Sequence, residues 1–318
     1  MTVAMRISLV GTGAIAEQHL KALASIEDVQ VLSIVGKDQM QAQALANRYG
    51  ILRKHDQMSD ALGRHDIDAV ILCTPTPMHA AQALECLEAG KHVLVEIPLA
   101  DTLADARAVV SCQQRTGLVA MCAHTRRFNP GHRWVHERIG QGAFTLRHLN
   151  ARTSFLRRSN MNSQGQTRDW VDHLLWHHAA HTVDLFQYQT GEQVCSAHVV
   201  QGPIHVELGI ALDMAVQLQT PSGAICSLSL SFNNRGPHGS NFRYIGDGET
   251  YLVRYDDLTD GDGNGIQLPR ALPDGIAAQD REFVAAIREQ REPLASVASV
   301  MPCYLLLDDL EQQLKAAR

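Results

Sequence analysis

Three histidines in four-residue steps, His173, His177 and His181, have the clearest capacity for acid–base chemistry in this sequence. On a helix, this spacing places the three side chains on one face. Because the ordinary pKa of histidine lies near neutrality, such a row can supply a base that accepts a proton at physiological pH. The row could instead be buried and hydrogen-bonded in a packing face. A metal site is the less favoured alternative, because no convincing further ligand accompanies the row, and we predict no metal.

A glycine-containing turn offers a second kind of chemistry. The run Gly11–Ala16 follows an apolar strand and opens a helix, so it can hold a phosphate against the free N–H groups of the helix N-terminus. Gly11 permits the tight turn, Gly13 permits close approach of a pyrophosphate, and Ala16 can replace a third glycine. The alternative is a tight turn in an α/β protein that binds something else. The residues predicted to hold a dinucleotide are Gly11, Thr12, Gly13, Ala14 and Ile15.

The end of the second predicted strand bears on which dinucleotide is bound. A site selective for NAD places an Asp or Glu there, on the ribose hydroxyls. This sequence has Gly36 followed by Lys37, so the repulsive carboxylate is absent and a cation is present for a 2'-phosphate. Lys37 could equally be a solvated surface lysine. We predict NADP as the cofactor, with NAD possible.

The hydrophobic pattern predicts the elements that position these residues. In residues 1–125, short apolar runs alternate with helices, which is typical of a parallel sheet buried on both faces. The fold class is therefore α/β, with an N-terminal doubly wound Rossmann domain on which a C-terminal helix at about 296–318 packs back. Alternating strand patterns and a long helix, Trp170–Tyr188, predict a second, α+β domain over 126–295 with an open, largely antiparallel sheet. This second domain is predicted to bind substrate and to dimerise.

Composition limits the partners of the chain. The formal net charge of -6, with no dominant basic face, argues against nucleic acid. No run approaches the ~18 apolar residues that a membrane-spanning helix needs. The seven cysteines include no Cys-x-x-Cys pair and are predicted to be reduced thiols of a cytoplasmic protein. We predict a homodimer through the open sheet, because its strands carry apolar residues on both sides: Leu228, Leu230 and Phe232 on one, Ile225 on the other.

Longer motifs resemble a known family. The runs Cys73–His79 and Ala89–Pro98, with Arg127–Pro130 and the pair His181-x-x-Asp184, resemble the glucose-fructose oxidoreductase/inositol dehydrogenase family. The resemblance covers essentially the whole chain and implies a nicotinamide-dependent oxidoreductase. The residues that it implies on the cofactor side are Cys73, Thr74, Pro75, His79, Glu96, Ile97, Pro98 and Arg127.

The sequence departs from that family at two catalytic positions. Where the family usually has Glu-Lys-Pro, this chain has Glu96-Ile97-Pro98, and His177 stands at a position that is usually aspartate. The chain is most similar to members that oxidise the cyclic hemiacetal of a carboxylated semialdehyde from aromatic catabolism to a lactone. Because a hemiacetal hydroxyl is more acidic than that of a simple alcohol, a histidine can serve as base without the lysine. On the family's positions, we rank His181 first as catalytic base and His177 second.

The substrate implied by this resemblance is a small dicarboxylate, so its site needs cations. Arginine suits a carboxylate because its planar fork donates two parallel hydrogen bonds. We expect about half of the arginines early in the second domain to be solvated instead. The residues predicted to contact substrate are Arg127, Arg157, Arg168, Asn160, Asn162, His173 and His177.

Two other functions stay open at this point. The first is oxidation of a sugar or cyclitol, against which the missing lysine argues. The second is a dinucleotide-binding regulator that has lost catalysis, against which the histidines and clustered arginines argue.

Overall fold

The computed structural model describes residues 4–161, 165, 167–168, 170–255, 257–268 and 273–317. The chain forms two compact units, one of Met1–His124 with Ile276–Met301 and the other of Thr125–Gly275 with Pro302–Arg318. The strands are β1 (Met5–Val10), β2 (Val29–Val35), β3 (Arg53–His55), β4 (Ala69–Leu72), β5 (His92–Val95), β6 (Ala120–Cys122), β7 (Leu146–Ser154), β8 (Ser196–Gln201), β9 (Asp213–Gln219), β10 (Ile225–Ser231), β11 (Gly239–Gly246), β12 (Thr250–Arg254) and β13 (Asp257–Asp260). The helices are α1 (Ala14–Leu23), α2 (Gln39–Tyr49), α3 (Met58–Leu62), α4 (His79–Glu88), α5 (Leu103–Thr116), α6 (Pro130–Gly140), α7 (Ala180–Thr190), α8 (Gly275–Glu289) and α9 (Met301–Ala316).

The first unit contains a parallel sheet of six strands in the order β3-β2-β1-β4-β5-β6. Every residue of β4 is buried, as expected for an apolar strand covered on both faces. The strand order reverses between β1 and β4, and in doubly wound sheets a dinucleotide binds beyond the carboxyl ends of the strands at this point. The predicted Rossmann fold is therefore confirmed.

Helix α8 belongs to this first unit, although it lies far along the chain. Arg281 Nη2 donates to the carbonyl of Ser25 at 3.2 Å, and Arg288 Nη2 donates to that of Asp28 at 2.8 Å. Beyond the helix, the N–H of Cys122 donates to Ala295 O at 2.9 Å, so the chain adds a bridge beside β6. Helix α8 and the residues that follow it therefore pack within the first unit.

The second unit contains a mixed sheet of seven strands in the order β13-β12-β11-β7-β10-β9-β8. Only the β7–β10 pair is parallel among these neighbours. Leu228, Leu230 and Phe232 each expose 1% of their surface, so they form the buried face of β10. The prediction of a largely antiparallel sheet is confirmed.

The opposite face of this sheet is more polar than the sequence analysis predicted. Ile225 does lie there and is 39% exposed, but Ser227 and Ser229 follow it on the same side of β10. The Ser227 hydroxyl donates to Gln217 Oε1 at 2.8 Å, and His148 Nε2 lies 2.9 Å from that hydroxyl oxygen. The two faces therefore differ, since only one of them is continuously apolar.

The C-terminal helix α9 belongs to the second unit, whereas the sequence predicts that residues 296–318 pack back on the Rossmann domain. Its buried stripe includes Tyr304, whose ring lies 6.3 Å from that of Trp176, and Gln313 Nε2 donates to Ala197 O at 3.1 Å. Only the residues before it, such as Val297, whose N–H donates to Ala120 O, lie in the first unit.

The predicted helix Trp170–Tyr188 begins later and in an unusual form. A π-helical turn over Leu174–Ala179 leads into α7, and His173 caps the turn by accepting from the N–H of Leu175 at 3.3 Å. π-Helical turns are rare and occur frequently at functional sites. In the described part of the chain, no helix is both long and apolar enough to cross a membrane.

Candidate active site

The glycine turn after β1 has the geometry of a phosphate cradle. Gly11 has φ +116°, and a Cβ atom there would lie 2.4 Å from the carbonyl oxygen of Cys73, so only glycine fits. A Cβ atom on Gly13, the N-cap of α1, would meet nothing within 4 Å, which leaves space above the helix N-terminus. Ala14 and Ile15 form the first turn of α1, whose free N–H groups favour an anion. The turn therefore fits a dinucleotide pyrophosphate.

The end of β2 has no carboxylate at the position that faces the ribose in NAD-selective sites. A Cβ atom on Gly36 would lie 2.4 Å from Thr12 Cγ2, so a larger residue at this position would require the Thr12 side chain to move. Lys37 is exposed, and Asp38 accepts hydrogen bonds from backbone N–H groups of α2 as its N-cap. Ser33 is fully buried and donates to Ser8 Oγ at 2.9 Å, which removes it from any role at the ribose.

The residues that follow β4 at the carboxyl edge of the sheet are joined by hydrogen bonds to the turn after β5. Cys73 is buried, which raises the pKa of its thiol well above the ordinary value. Pro75 precedes a short 3-10 turn, and His79 is buried behind it with Nδ1 2.7 Å from Pro98 O and Nε2 2.8 Å from Thr74 O. His79 thus joins the turns after β4 and β5, which places it behind the predicted cofactor contacts.

The turn after β5 contains the first group that the sequence analysis missed. Glu96 Oε1 lies 2.9 Å from Nε2 of His19, and Nδ1 of His19 lies 2.9 Å from both carboxylate oxygens of Asp280. Glu96 Oε2 accepts from the N–H of Ile97 at 3.3 Å, and the Ile97–Pro98 peptide is cis. We call Glu96, His19 and Asp280 the His19 network. Asp280 comes from α8, so no local motif in the sequence could have indicated it.

In the second unit, the structure distinguishes the roles of the three histidines. The N–H of His173 donates to Nδ1 of His177 at 2.9 Å, and the N–H of Leu175 donates to Nδ1 of His173. A neutral histidine whose Nδ1 accepts carries its hydrogen on Nε2 and has no free lone pair for a proton. His173 and His177 are therefore hydrogen-bond donors. His181 lies in the first turn of α7, half-buried.

The described residues include no group of three or more His, Cys, Asp or Glu side chains that could hold a metal ion.

Two predicted arginines converge on one carboxylate. Arg157 Nη2 donates to Asp172 Oδ2, and Arg168 Nη1 donates to Asp172 Oδ1 at 3.2 Å. The side chains are only partly exposed: Arg157 by 17%, Arg168 by 15% and Asp172 by 13%. Burial raises the pKa of Asp172, but the two arginines outweigh it and hold that pKa below its ordinary value. Arg168 also stacks on Trp170 at 4.8 Å, and the same indole stacks on the His177 ring at 5.9 Å.

A third cation, Arg126, completes this group, although the sequence analysis had preferred its neighbour. Arg126 lies over the Phe242 ring at 4.5 Å and donates from Nη2 to Ser240 Oγ at 2.9 Å. Burial lowers the pKa of Arg126 to about 10, and no described carboxylate pairs with it. We call Arg126, Arg157, Arg168 and Asp172 the arginine cluster.

His178 shows that these charges share one region. Burial lowers its pKa to about 4; Asp172 opposes this shift, and the three arginines add to it. Three cations with one carboxylate leave an excess charge of two. The cluster is therefore suited to a ligand that brings negative charge.

Arg127 is placed differently from the prediction. Its Nε and Nη2 donate to Oδ2 and Oδ1 of Asp184 at 2.8 and 2.6 Å, and its guanidinium lies 4.9 Å above the Tyr188 ring. Both partners are buried, with side chains 7% and 2% exposed. This bidentate pair neutralises the cation inside the second unit, whereas Arg126 has no carboxylate partner among the described residues.

Asn160 acts on the loop that carries the arginines. Its Nδ2 donates to the carbonyls of Arg168 and Trp170, both at 2.8 Å, and its buried Oδ1 has no hydrogen-bond partner among the described residues. Asn160 therefore holds Arg168 in place, and its carbonyl stays available as an acceptor. Asn162, the other predicted amide contact, lies outside the described residues.

Comparison with known proteins agrees with both units. Residues 5–124 match the GFO/IDH/MocA oxidoreductase family with an NAD-binding Rossmann fold, and residues 130–271 match the C-terminal domain of bacterial oxidoreductases. The 4-carboxy-2-hydroxymuconate-6-semialdehyde dehydrogenase of a Sphingobium species is 54% identical over 313 residues, covering 98% of this chain and 99% of that protein. Inositol 2-dehydrogenase of Acidothermus cellulolyticus is 26% identical over 236 residues, 72% of this chain and 67% of that one.

Solved structures show the same fold. The aldose-aldose oxidoreductase of Caulobacter crescentus, crystallised with glycerol, superposes with a TM-score of 0.87 at 18% identity, covering 99% of this chain and 98% of that chain. The oxidoreductase domain protein of Kribbella flavida gives 0.86 at 21% identity, covering 100% and 98%.

The phosphate cradle, the strand order and the full-length likeness to a dehydrogenase lead to one conclusion, and they confirm the predicted family and the use of a nicotinamide dinucleotide. This chain is an enzyme of the GFO/IDH/MocA family of oxidoreductases, the glucose-fructose oxidoreductase/inositol dehydrogenase family.

Proposed function

We propose that the protein oxidises 4-carboxy-2-hydroxymuconate-6-semialdehyde, in its cyclic hemiacetal form, to 2-pyrone-4,6-dicarboxylate with NADP. The arginine cluster carries this proposal, because Arg157 and Arg168 share the single carboxylate of Asp172 and the buried Arg126 has no carboxylate partner among the described residues, which suits a dicarboxylate and not a neutral sugar. The name of the 54% identical relative supplies the semialdehyde.

The reaction converts a hemiacetal carbon into a lactone carbonyl. A dinucleotide held at Gly11–Ala16 would supply the hydride acceptor for this oxidation. The protein must hold the cofactor at the glycine turn, bind the two substrate carboxylates and accept the hydroxyl proton. The hemiacetal loses one hydride from carbon and one proton from its hydroxyl as the lactone carbonyl forms, so the reaction balances with no further reactant.

We assign the base to His181. His177 and His173 are less suited, because the Nδ1 atom of each accepts a backbone hydrogen bond and their Nε2 atoms are donors. Histidine is a common general base in enzymes, and a hemiacetal hydroxyl gives up its proton more readily than a simple alcohol does.

The arginine cluster would bind the carboxylates while Asp172 sets the spacing of its arginines. Asp172 accepts from both Arg157 and Arg168, so each guanidinium keeps further N–H groups for a ligand. Arg126 has no carboxylate partner among the described residues and can take the second carboxylate. The rings of Phe232 and Phe242 lie against Arg157 and Arg126, and this limits the motion of both guanidinium groups.

NADP is favoured by the end of β2. Gly36 lies against the Thr12 side chain and has no carboxylate that could repel a 2'-phosphate. The carboxylate of Asp38 is engaged as a helix cap, and Lys37 is exposed beside it. An exposed lysine gives a modest preference, so NAD is a slower alternative.

The assembly that we propose is a cytoplasmic homodimer through the open face of the second sheet. Val200 and Ile225 lie on this face and are 67% and 39% exposed. Sedimentation of the protein, compared with a Val200→Glu variant, tests the dimer.

Activity on the proposed substrate is the direct test of the function. The purified enzyme is mixed with NADP and the 4,5-ring-cleavage product of protocatechuate, and the reduced cofactor is followed by absorbance. We expect turnover with this substrate, formation of the pyrone dicarboxylate by mass spectrometry, and none with inositol or glucose. Turnover with sugars alone would refute the proposal, and tight cofactor binding without any turnover would favour a regulator.

A further inference from the structure

The His19 network is a group of buried ionisable side chains that the proposed chemistry does not use. His19 and Asp280 are completely buried, and the Glu96 side chain is 13% exposed. The three residues come from α1, from the first position after β5 and from α8. The network lies entirely within the first unit.

Its hydrogen-bond geometry favours a charged histidine. Both ring nitrogens face carboxylates at 2.9 Å, and both can donate only if both carry hydrogen. Burial lowers the pKa of His19, but Asp280 and Glu96 outweigh it and raise the pKa to about 10. A cation therefore bridges two carboxylates in the core at neutral pH.

Stability alone does not account for such a group. Buried ion pairs carry a large desolvation cost, and well-packed apolar residues often replace them without loss of stability. Such a network does, however, fix the positions of its members closely, because each retained charge needs its partners. The network is therefore better explained by the positions that it fixes than by the stability that it adds.

The network joins the two segments predicted to bind the cofactor. His19 lies on α1, which begins directly after the glycine turn, and Glu96 begins the turn Glu96–Pro98. Cys73 connects the same two places, because its carbonyl lies where a Gly11 side chain would be and the charges of Glu96 and Asp280 act on its thiol.

We propose that His19 and Asp280 are positioning residues for the dinucleotide: they hold the Glu96 carboxylate and the turn after it at a fixed distance from α1, so that both cofactor-binding segments are preformed. Neither residue touches the reacting atoms. The inference depends on dinucleotide binding, which the family establishes, and not on the identity of the substrate.

Two substitutions of the same histidine separate positioning from simple packing. The amide nitrogen of Asn falls near the place of Nδ1, and that of Gln falls near the place of Nε2. His19→Asn thus keeps the bond to Asp280 and releases Glu96, whereas His19→Gln keeps the bond to Glu96. Asp280→Asn, which keeps an acceptor for His19 and removes one charge, is the further variant if either of these fails to fold.

The readout is the dissociation constant of NADPH, measured from its fluorescence without any substrate. Since one charge-assisted hydrogen bond to Glu96 is lost, we expect His19→Asn to raise this constant about tenfold and His19→Gln less than about threefold. The dissociation constant of Asp280→Asn should rise by about as much as that of His19→Gln. The exposed His65→Asn in the same unit is the control and should bind like wild type.

A pH series adds a second readout. The groups facing His19 are Asp280 from α8 and Glu96 after β5, and both carboxylates also act on the Cys73 thiol after β4. Because the folded pKa is raised from 6.5 to about 10, the stabilisation is complete below 6.5 and is lost as the pH rises through 10. The difference in thermal midpoint between wild type and His19→Gln should shrink over that range.

Equal NADPH affinities for wild type, His19→Asn and Asp280→Asn would overturn the proposal. So would equal weakening in His19→Asn and His19→Gln that simply follows their loss of stability in urea. Because no substrate is present, failure here is distinguishable from failure of the proposed dehydrogenase activity.

Discussion

The two units each contain a cluster of partly or fully buried charges, and the clusters differ in their balance. In the His19 network, every ring nitrogen of the histidine meets a carboxylate, and His19 and Asp280 are fully buried. In the arginine cluster, Arg157 and Arg168 share the carboxylate of Asp172, whereas Arg126 has no carboxylate partner among the described residues; the paired side chains retain about a sixth of their exposure. A cluster in which every charged group has a partner of opposite charge can hold a structure in place, whereas one with a buried cation that lacks a carboxylate partner is prepared for an outside anion.

The largest effect should come from the proposed base. His181→Asn should lower kcat by about 10²–10⁴-fold, the usual contribution of a general base, and leave the NADPH dissociation constant unchanged. Steady-state kinetics at saturating NADP measures this. His198→Asn, on an exposed position of β8, is the matched control. A His181→Asn enzyme with wild-type kcat and pH profile would remove His181 from the chemistry.

The Arg127–Asp184 ion pair provides the next test. It lies in the same unit as the arginine cluster, but its cation is matched by one carboxylate. Arg127→Leu leaves Asp184 buried without its cation and should cost about 3–5 kcal/mol of unfolding free energy. Urea titration measures the loss. The double variant Arg127→Leu/Asp184→Leu should recover more than half of it. If the single variant unfolds like wild type but loses substrate affinity, Arg127 binds substrate after all.

Removing an arginine from the unbalanced cluster should act on substrate and not on the fold. Arg126→Gln should lower kcat/KM for the semialdehyde about 100-fold, because a hydrogen bond between charged groups is worth roughly 1.5–3 kcal/mol. Its urea midpoint should stay at or above that of wild type, since a buried cation without a carboxylate partner is removed. Arg147→Gln, whose side chain is 55% exposed, is the control.

The smallest effect concerns the choice of cofactor. Lys37→Glu places a negative charge beside the predicted 2'-phosphate and should lower kcat/KM for NADP about tenfold, with NAD changed less than about twofold. The control is Lys21→Glu on α1, which is 66% exposed. Equal changes for NADP and NAD would show that Lys37 does not contact the phosphate.

The fold could be predicted from the sequence because its signals are local. Runs such as Ala69–Leu72 are apolar throughout, and the glycine turn must follow a strand and precede a helix. The placement of α9 was missed, because an amphipathic helix shows which face is buried but not which unit covers it.

The site was predictable only where residue type and chain position were sufficient. Arg157, Arg168 and the histidine row were selected this way, and the structure places the two arginines on one carboxylate. The sequence shows two adjacent arginines, Arg126 and Arg127, but only the fold shows that Asp184 neutralises the second. The His19 network escaped prediction because Asp280 lies 261 residues from its partner.

Substrate discrimination by the arginine cluster tests the central claim most directly. The measurement is kcat/KM for the semialdehyde and for its analogue without the carboxylate on carbon 4, with wild type and Arg126→Gln. We expect wild type to prefer the dicarboxylate by about 100-fold and the variant to retain less than about tenfold, because the missing carboxylate and the missing guanidinium report the same contact. Equal turnover of both compounds by wild type, or an unchanged preference in Arg126→Gln, would contradict recognition of a dicarboxylate by this cluster.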